Sequence, residues 1–190
     1  VPALGVVTRI DGDGADFGKA LADVESSLKI RPVALHLPIG AGPGCTGIVD
    51  LVTMKVHLAD PKVFAKWTEG EVPAALKPQV EPLRTAMLEA AAESDDELLG
   101  KYLDGAALTV DEIYRGLAAG ARAQKFLPVA CAAAKIGVGV RELLELAVRA
   151  FKSQGQDLQH LKGWVAESGE GRWTVQEAID RDAPAPVTTL

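Results

Sequence analysis

The sequence predicts an α/β protein that carries an inserted α+β subdomain. Three observations lead there: a strand, Gly-rich loop and amphipathic helix over residues 3–28, the same strand-then-helix succession at 126–151, and alternating strands and helix starts between them. The two end units define one layer. The middle reads as an insertion into it.

Ala3 to Val7 is a short apolar run ending in Arg9-Ile10-Asp11-Gly12-Asp13-Gly14, the pattern of a buried strand meeting a loop. From Asp16, a favoured N-cap type, Phe17, Ala20, Leu21, Val24 and Leu28 recur at helical spacing. Pro32 to Leu37 returns to a strand, Gly40 to Gly44 is a turn, and Gly47 to Ala59 alternates apolar and polar residues as one half-exposed antiparallel strand. Residues 60–72 hold turn formers and mixed charge. Pro73 to Ser94 places Leu76, Val80, Leu83, Met87, Leu88 and Ala91 at helical intervals, with Pro78 and Pro82 expected to kink its first part. Ser94 to Glu97 and Thr109 to Glu112 both have the capping-box arrangement, so each should start a helix. Phe126 to Ala134 is a buried strand, and Gly139 leads into a helix bearing Leu143, Leu144, Leu146, Ala147, Val148 and Phe151. Past Lys152 the texture turns polar, which places a boundary there. Thr174 to Glu177 is a third capping box, and Pro184 and Pro186 stop its helix, giving a short helical tail over 152–190.

With 190 residues, 48% of them hydrophobic, the chain can bury a real core. A net charge of -6 with no cluster of Lys and Arg argues against direct binding to nucleic acid or to an anionic membrane. No run of about 18 apolar residues suggests a membrane span, and the start lacks a signal-peptide layout. Cys45 and Cys131 stand far apart, which suits a reduced, cytoplasmic compartment. Val1-Pro2-Ala3-Leu4 reads like a strand entered from a preceding chain, so upstream residues are expected.

Five segments in fixed order then carry a resemblance: VPALGVVTRIDGDGADF, RPVALHLPIG, GIVDLVTMK, LEAAAESDDELLGKYLDG and FLPVACAAAKIGVGVRELLELAV. Over residues 1–151 the chain resembles elongation factor G, a translational GTPase. In that family the first segment holds the guanine-reading Asn-Lys-x-Asp loop and the fifth a Gly-Ser-Ala loop whose backbone donates to the base. The part between is an insert near the ribosome that touches the ribosomal stalk protein. The resemblance implies a partial P-loop GTPase-like sheet, with 1–38 and 122–151 as the C-terminal half of the core and 39–121 as the insert.

The departures weaken the implied site. Thr8, Arg9, Ile10 and Asp11 occupy the Asn-Lys-x-Asp positions, so only the Asp remains, and Ala132, Ala133 and Ala134 replace the Gly-Ser-Ala loop. Such changes resemble the divergent, elongation-factor-G-like branch. A carboxylate accepting two donors of a guanine edge is a charge-assisted contact. Phosphate binding needs the GxxxxGK[ST] loop, which this sequence does not contain. The family's GTP or GDP with Mg is therefore not expected to be held as a cofactor by the isolated chain, nor is catalysis. The vestigial nucleotide site comprises Thr8, Arg9, Asp11 and Ala132 to Ala134. Asp11 before Gly12 also has the plain reading of a turn-forming acid. Family partners imply the ribosome and its stalk protein, met through helices at about 74–104, with Glu81, Arg84, Glu89 and Glu93 on the outer face; the alternative is a merely solvated helix.

Trp164 to Pro186, WVAESGEGRWTVQEAIDRDAPAP, resembles a segment of 6-phosphogluconate dehydrogenase, where the position of Arg172 contacts substrate. An arginine fork suits a phosphate. The alternatives to a translation-factor fragment are thus a dehydrogenase fragment keeping part of a sugar-phosphate site, or a chimeric frame with no selected function. Other residues carry less. His36, His57 and His160 lack metal-ligand spacing, so no metal is expected, and His36 and His57 should face partly outward from strands. Cys131 reads as a buried hydrophobe, and Gly137-Val138-Gly139 as a turn with Glu142 where a dinucleotide fingerprint needs glycine. Trp67, Trp164 and Trp173 form no stacking platform. An open sheet edge beside Ala3 to Val7 or Phe126 to Ala134 offers a route to homodimers.

Overall fold

The computed structural model describes residues 3–60, 62, 63 and 66–153. In chain order they form β1 (Gly5–Thr8), α1 (Phe17–Leu28), β2 (Pro32–Ala34), β3 (His36–Ile39), β4 (Gly47–Asp50), β5 (Lys55–Ala59), β6 (Trp67–Glu71), α2 (Lys77–Ala92), α3 (Asp96–Leu103), α4 (Val110–Arg122), β7 (Leu127–Ala132) and α5 (Val140–Ser153). One compact unit runs from Val1 to Ala147; of the second, Val148–Leu190, only the end of α5 is described. Arg172, Trp164, Trp173, His160 and the Thr174 capping box lie outside the described residues.

The α/β expectation holds. A parallel sheet in the order β1-β7-β2 stands beside an antiparallel sheet in the order β3-β4-β5-β6. β7 is buried along its whole length between two neighbours, so the expected open edge at Phe126 to Ala134 is corrected to an interior strand. Its continuous apolar run is the composition that a strand covered on both sides requires.

Two expected strands divide. Pro32 to Leu37 is two strands in different sheets, joined at Leu35. The Leu35 N–H donates to the Val129 carbonyl at 2.8 Å, and the Leu35 carbonyl accepts from Leu51 N–H at 2.9 Å. Gly47 to Ala59 is a hairpin: Asp50 accepts from Val52 N–H at 2.8 Å and from the Thr53 hydroxyl at 2.7 Å, and Met54 takes a left-handed φ of 58°. An Asp side chain that collects the next backbone donors makes its own turn. β6 was not expected, because a strand reading Trp-Thr-Glu-Gly-Glu lacks an apolar face; it pairs with β5 from Ala59↔Trp67 to Lys55↔Glu71.

α1 starts as the sequence implies, with Asp16 accepting from Lys19 N–H at 2.9 Å. The Thr109 and Glu112 capping box is present in both directions. At α3 the cap is Asp95, which accepts from Glu97 and Leu98 N–H, while Ser94 donates back to the Ala90 carbonyl at 2.9 Å. The capping-box expectation for Ser94 is therefore corrected by one residue. Inside α4, Gly116 lies against α2 so closely that a Cβ there would sit 2.3 Å from the Ala91 carbonyl oxygen. That approach brings Val80, Met87, Ala90, Ala91, Ile113, Leu117 and Phe126 into one core with Val33, Val49 and Leu51.

Glu81, Glu89 and Glu93 are exposed, as expected of an outer face, but Arg84 is not. Its guanidinium turns inward, and Nη1 donates to the Leu51 carbonyl and, at 2.6 Å, to the Val52 carbonyl. Those acceptors sit in the β4–β5 turn, so Arg84 fastens the helical layer to the hairpin. Arg84→Ala should lower the unfolding free energy by about 1–3 kcal/mol by stranding them, measured as a lower urea midpoint at unchanged m.

Candidate functional site

β1 and β7 run parallel and in register, with Thr8 opposite Ala132 at their carboxyl ends. Loops leaving those ends enclose a cavity of about 730 Å³ lined by Thr8, Arg9, Asp11, Ala132, Ala134 and Lys135, among others. The carboxyl edge of a parallel sheet is where α/β proteins place ligands.

Each loop is set by local chemistry. Arg9 takes φ 58°, which turns the chain off β1, and its carbonyl accepts from Gly12 N–H at 2.9 Å. Ile10 is 4% exposed and packs with Cys45, Ile48, Cys131 and Val138. That anchor leaves Asp11, the next residue, half-buried in the cavity lining. On the β7 side, Ala133 N–H donates to the Val138 carbonyl at 2.9 Å and Val138 N–H donates back at 3.2 Å. Ala134–Ile136 forms a 3-10 turn between them, and Gly137 and Gly139 take φ 72° and 71°.

This geometry divides the alanine triplet. Ala132 and Ala134 line the cavity, whereas Ala133 is fully buried and its N–H is committed to Val138. The first two N–H groups of a 3-10 turn have no partner within it, and here they belong to Ala134 and Lys135. Asp11, the cationic residues Arg9 and Lys135, and Ala134 thus line one opening. A further cavity of about 400 Å³ lies against the same loop, lined by Val7, Thr8, Arg9, Phe17, Pro38 and Gly40, among others.

Cys45 also lines the larger cavity. Burial pushes its thiol up, and the Asp11 carboxylate adds to this. Cys131 is fully buried, and burial pushes its thiol up further, with Cys45 and Glu142 adding to it. Both cysteines are free. Neither is an activated nucleophile, since reactivity needs a lowered thiol pKa.

Sequence reasoning missed a buried polar cluster. His36 and His57 were expected to face partly outward, but His36 is 3% exposed and the His57 side chain 11%. His57 Nδ1 lies 2.6 Å from Glu142 Oε1, and its ring tilts against Trp67. His36 Nδ1 is buried without a hydrogen-bond partner among the described residues. Burial holds the His36 imidazole below its ordinary value, although Asp50 and Glu142 favour the charged form. The fold therefore keeps His36 neutral where an unfolded chain would protonate it. The stability this preserves is complete above about pH 6.5 and is lost as pH falls below that value. Urea midpoints should decline from pH 7.5 to 5.5, and His36→Gln should flatten the decline.

Among the described residues no group of three or more His, Cys, Asp or Glu is placed to hold a metal ion, and no helix is long and apolar enough to cross a membrane.

No family model matches the sequence. Curated relatives do. The chain is 35% identical over 170 residues to elongation factor G of Thermotoga petrophila and 34% identical over 170 residues to elongation factor G of Thermotoga neapolitana. Each match covers 90% of this chain and 24% of the relative, so the chain spans about a quarter of their length. A match over 170 of the 190 residues necessarily runs past Phe151. Among solved structures, the crystal structure of ttk003000868 from Thermus thermophilus is similar with a TM-score of 0.67 and 31% identity, covering 79% of this chain and 22% of that one.

Proposed function

We propose that this chain is the base-reading portion of an elongation-factor-G-like translation factor, without the elements that hold the phosphates. The observation that carries the reading is the shared opening at the ends of β1 and β7, where Asp11 faces the same cavity as Ala134 and Lys135. The Asp11 carboxylate accepts two donors of a guanine edge, the Ala134 and Lys135 amides donate to the base, and the Arg9 stem lies over it. Similarity to elongation factor G over most of the chain supports this order of parts.

The sequence has no GxxxxGK[ST] loop, so the contacts proposed for this chain's own residues are with the base. The remaining function is contact with the ribosome, in the cytoplasm, through the exposed outer face of α2 and α3, with the stalk protein as partner. Glu93 and Glu97 on that face already pair with Arg31 and Arg115, so Glu81 and Glu89 are the stronger contact candidates. β1, an outer strand of its sheet, is the route by which a second copy or another polypeptide would extend it. A sugar-phosphate contact through Arg172 remains a proposal about residues outside those described, and a match running past Phe151 favours a continuous factor-like chain over a join.

Equilibrium dialysis tests the base reading. GDP should be retained with a dissociation constant on the order of 1 mM, at least tenfold tighter than ADP, and Asp11→Ala should remove about 1.5–3 kcal/mol of that binding. Equal retention of GDP and ADP would sink it.

A further inference from the structure

We propose that His57 and Glu142 form a proton-dependent tie through which the antiparallel sheet positions the loop from Ala132 to Gly139. The inference rests on the base-reading proposal only for what that loop does; the tie itself stands on geometry.

The two side chains are 85 residues apart in sequence and meet at 2.6 Å, with His57 on β5 and Glu142 in the first turn of α5. Both are largely buried, at 11% and 7% side-chain exposure. Truncating one partner of such a pair leaves the other uncompensated, so the contact resists opening. The residue beside Glu142 grips the same sheet: the Arg141 guanidinium stacks 3.9 Å from the Trp67 ring on β6. Little slack separates this anchor from the loop. Leu143 N–H donates to the Gly139 carbonyl at 3.1 Å, and Gly139 is packed so tightly that a Cβ would sit 2.2 Å from the Cys131 carbonyl oxygen. The loop therefore follows the first turn of α5.

Proton dependence comes from two carboxylates flanking one imidazole. Glu142 lies at Nδ1 and Glu69, on β6, lies 3.7 Å from Nε2. A charged imidazole donates from both nitrogens, whereas a neutral one donates from one only. Protonation thus holds β5 to α5 while the other nitrogen still faces a carboxylate. Loss of the proton forces a choice between α5 and β6. The other groups around the pair are His36 on β3, whose ring feels the charges of both Glu142 and His57, and Asp50 on β4, which also acts on His36, together with Arg141 on α5. Nothing comparable reaches the loop from α2 or α4 in the contacts described.

The experiment follows ring and amide resonances of the labelled protein from pH 5 to 8 without nucleotide, so failure of base reading leaves it intact. The amides of Ala133, Ala134, Lys135 and Gly137 should titrate with the midpoint of the His57 ring, while amides of α2 and α4 stay still. In Glu142→Gln the loop amides should stop following His57. The idea is overturned if the loop amides do not move as His57 titrates, if they follow the His36 ring instead, if they still track His57 in Glu142→Gln, or if the His57 ring keeps one protonation state throughout. Should Glu142→Gln not fold, the wild-type titration alone decides, because shared or separate midpoints are read without any variant.

Discussion

Phe126→Ala lowers the unfolding free energy by about 3–5 kcal/mol, against the roughly 5–15 kcal/mol that a domain of this kind typically has. The ring is 2% exposed and lies where β7 begins, in the core with Met87, Ile113 and Leu117. Its neighbours cannot close on the void. Gly120 of α4 already lies so close that a Cβ there would meet the ring at 2.2 Å, so the helix backbone is shaped around it. Arg31 adds a cation over the ring face at 5.9 Å, a contact worth about 0.5–1 kcal/mol at a partly exposed site. Urea unfolding should show the midpoint falling at unchanged m. A loss under about 1 kcal/mol would mean that α2, α4 and β7 do not share one rigid core.

Gly139→Ala has the second-largest effect, and here strain and crowding add. The position takes φ 71°, a region that costs an L-residue roughly 1–2 kcal/mol. The new methyl would also sit 2.2 Å from the Cys131 carbonyl oxygen and 3.1 Å from the Ala132 Cα, backbone atoms that cannot swing aside. Crowding of that kind adds about 1–3 kcal/mol. Gly105→Ala separates the terms, since Gly105 has φ 75° with nothing within 4 Å of a would-be Cβ. It should lose only the left-handed cost, about 1 kcal/mol. Gly139→Ala should lose about twice to four times as much, and its spectrum should change at Ala132 to Lys135. Equal losses at the two glycines would show that the loop is free to move away from β7.

Features written within a few residues were legible in the sequence. Asp16 and the Thr109–Glu112 pair announced their helices because a cap is local chemistry, and the apolar run of β7 announced a strand covered on both faces. What the sequence hid was decided by distant partners. Nothing in PVALHL marks Leu35 as the residue that leaves one sheet and enters another, because the exchange is made by Val129 and Leu51. The alternation over 47–59 suggested one half-exposed strand, yet Gly47–Asp50 is buried throughout, and nothing in it marked the turn that the Asp50 side chain creates. Arg84 looked like an outer-face charge by helical spacing, yet its two acceptors lie more than thirty residues upstream.

The candidate site divides the same way. Asp11 and the alanine triplet could be picked out by resemblance, and the fold does bring those two loops to one opening. Which amides face that opening could not be read, because the Val138 bridge takes up Ala133 and leaves Ala134 and Lys135 on the lining. His57 and Glu142 gave no signal at all: one looked like an exposed strand residue, the other like a first-turn acid. A pairing across 85 residues leaves no pattern in a single sequence.

The base-reading claim is tested most directly by backbone amide spectra of the labelled protein with GDP, guanosine and ADP, each at millimolar concentration with magnesium. Matching shifts with GDP and guanosine are expected at Asp11, Gly12, Ala134 and Lys135, and none there with ADP, since the base carries the recognition. Unmoved resonances at those four residues in a well-dispersed spectrum, or equal shifts with ADP, would contradict it.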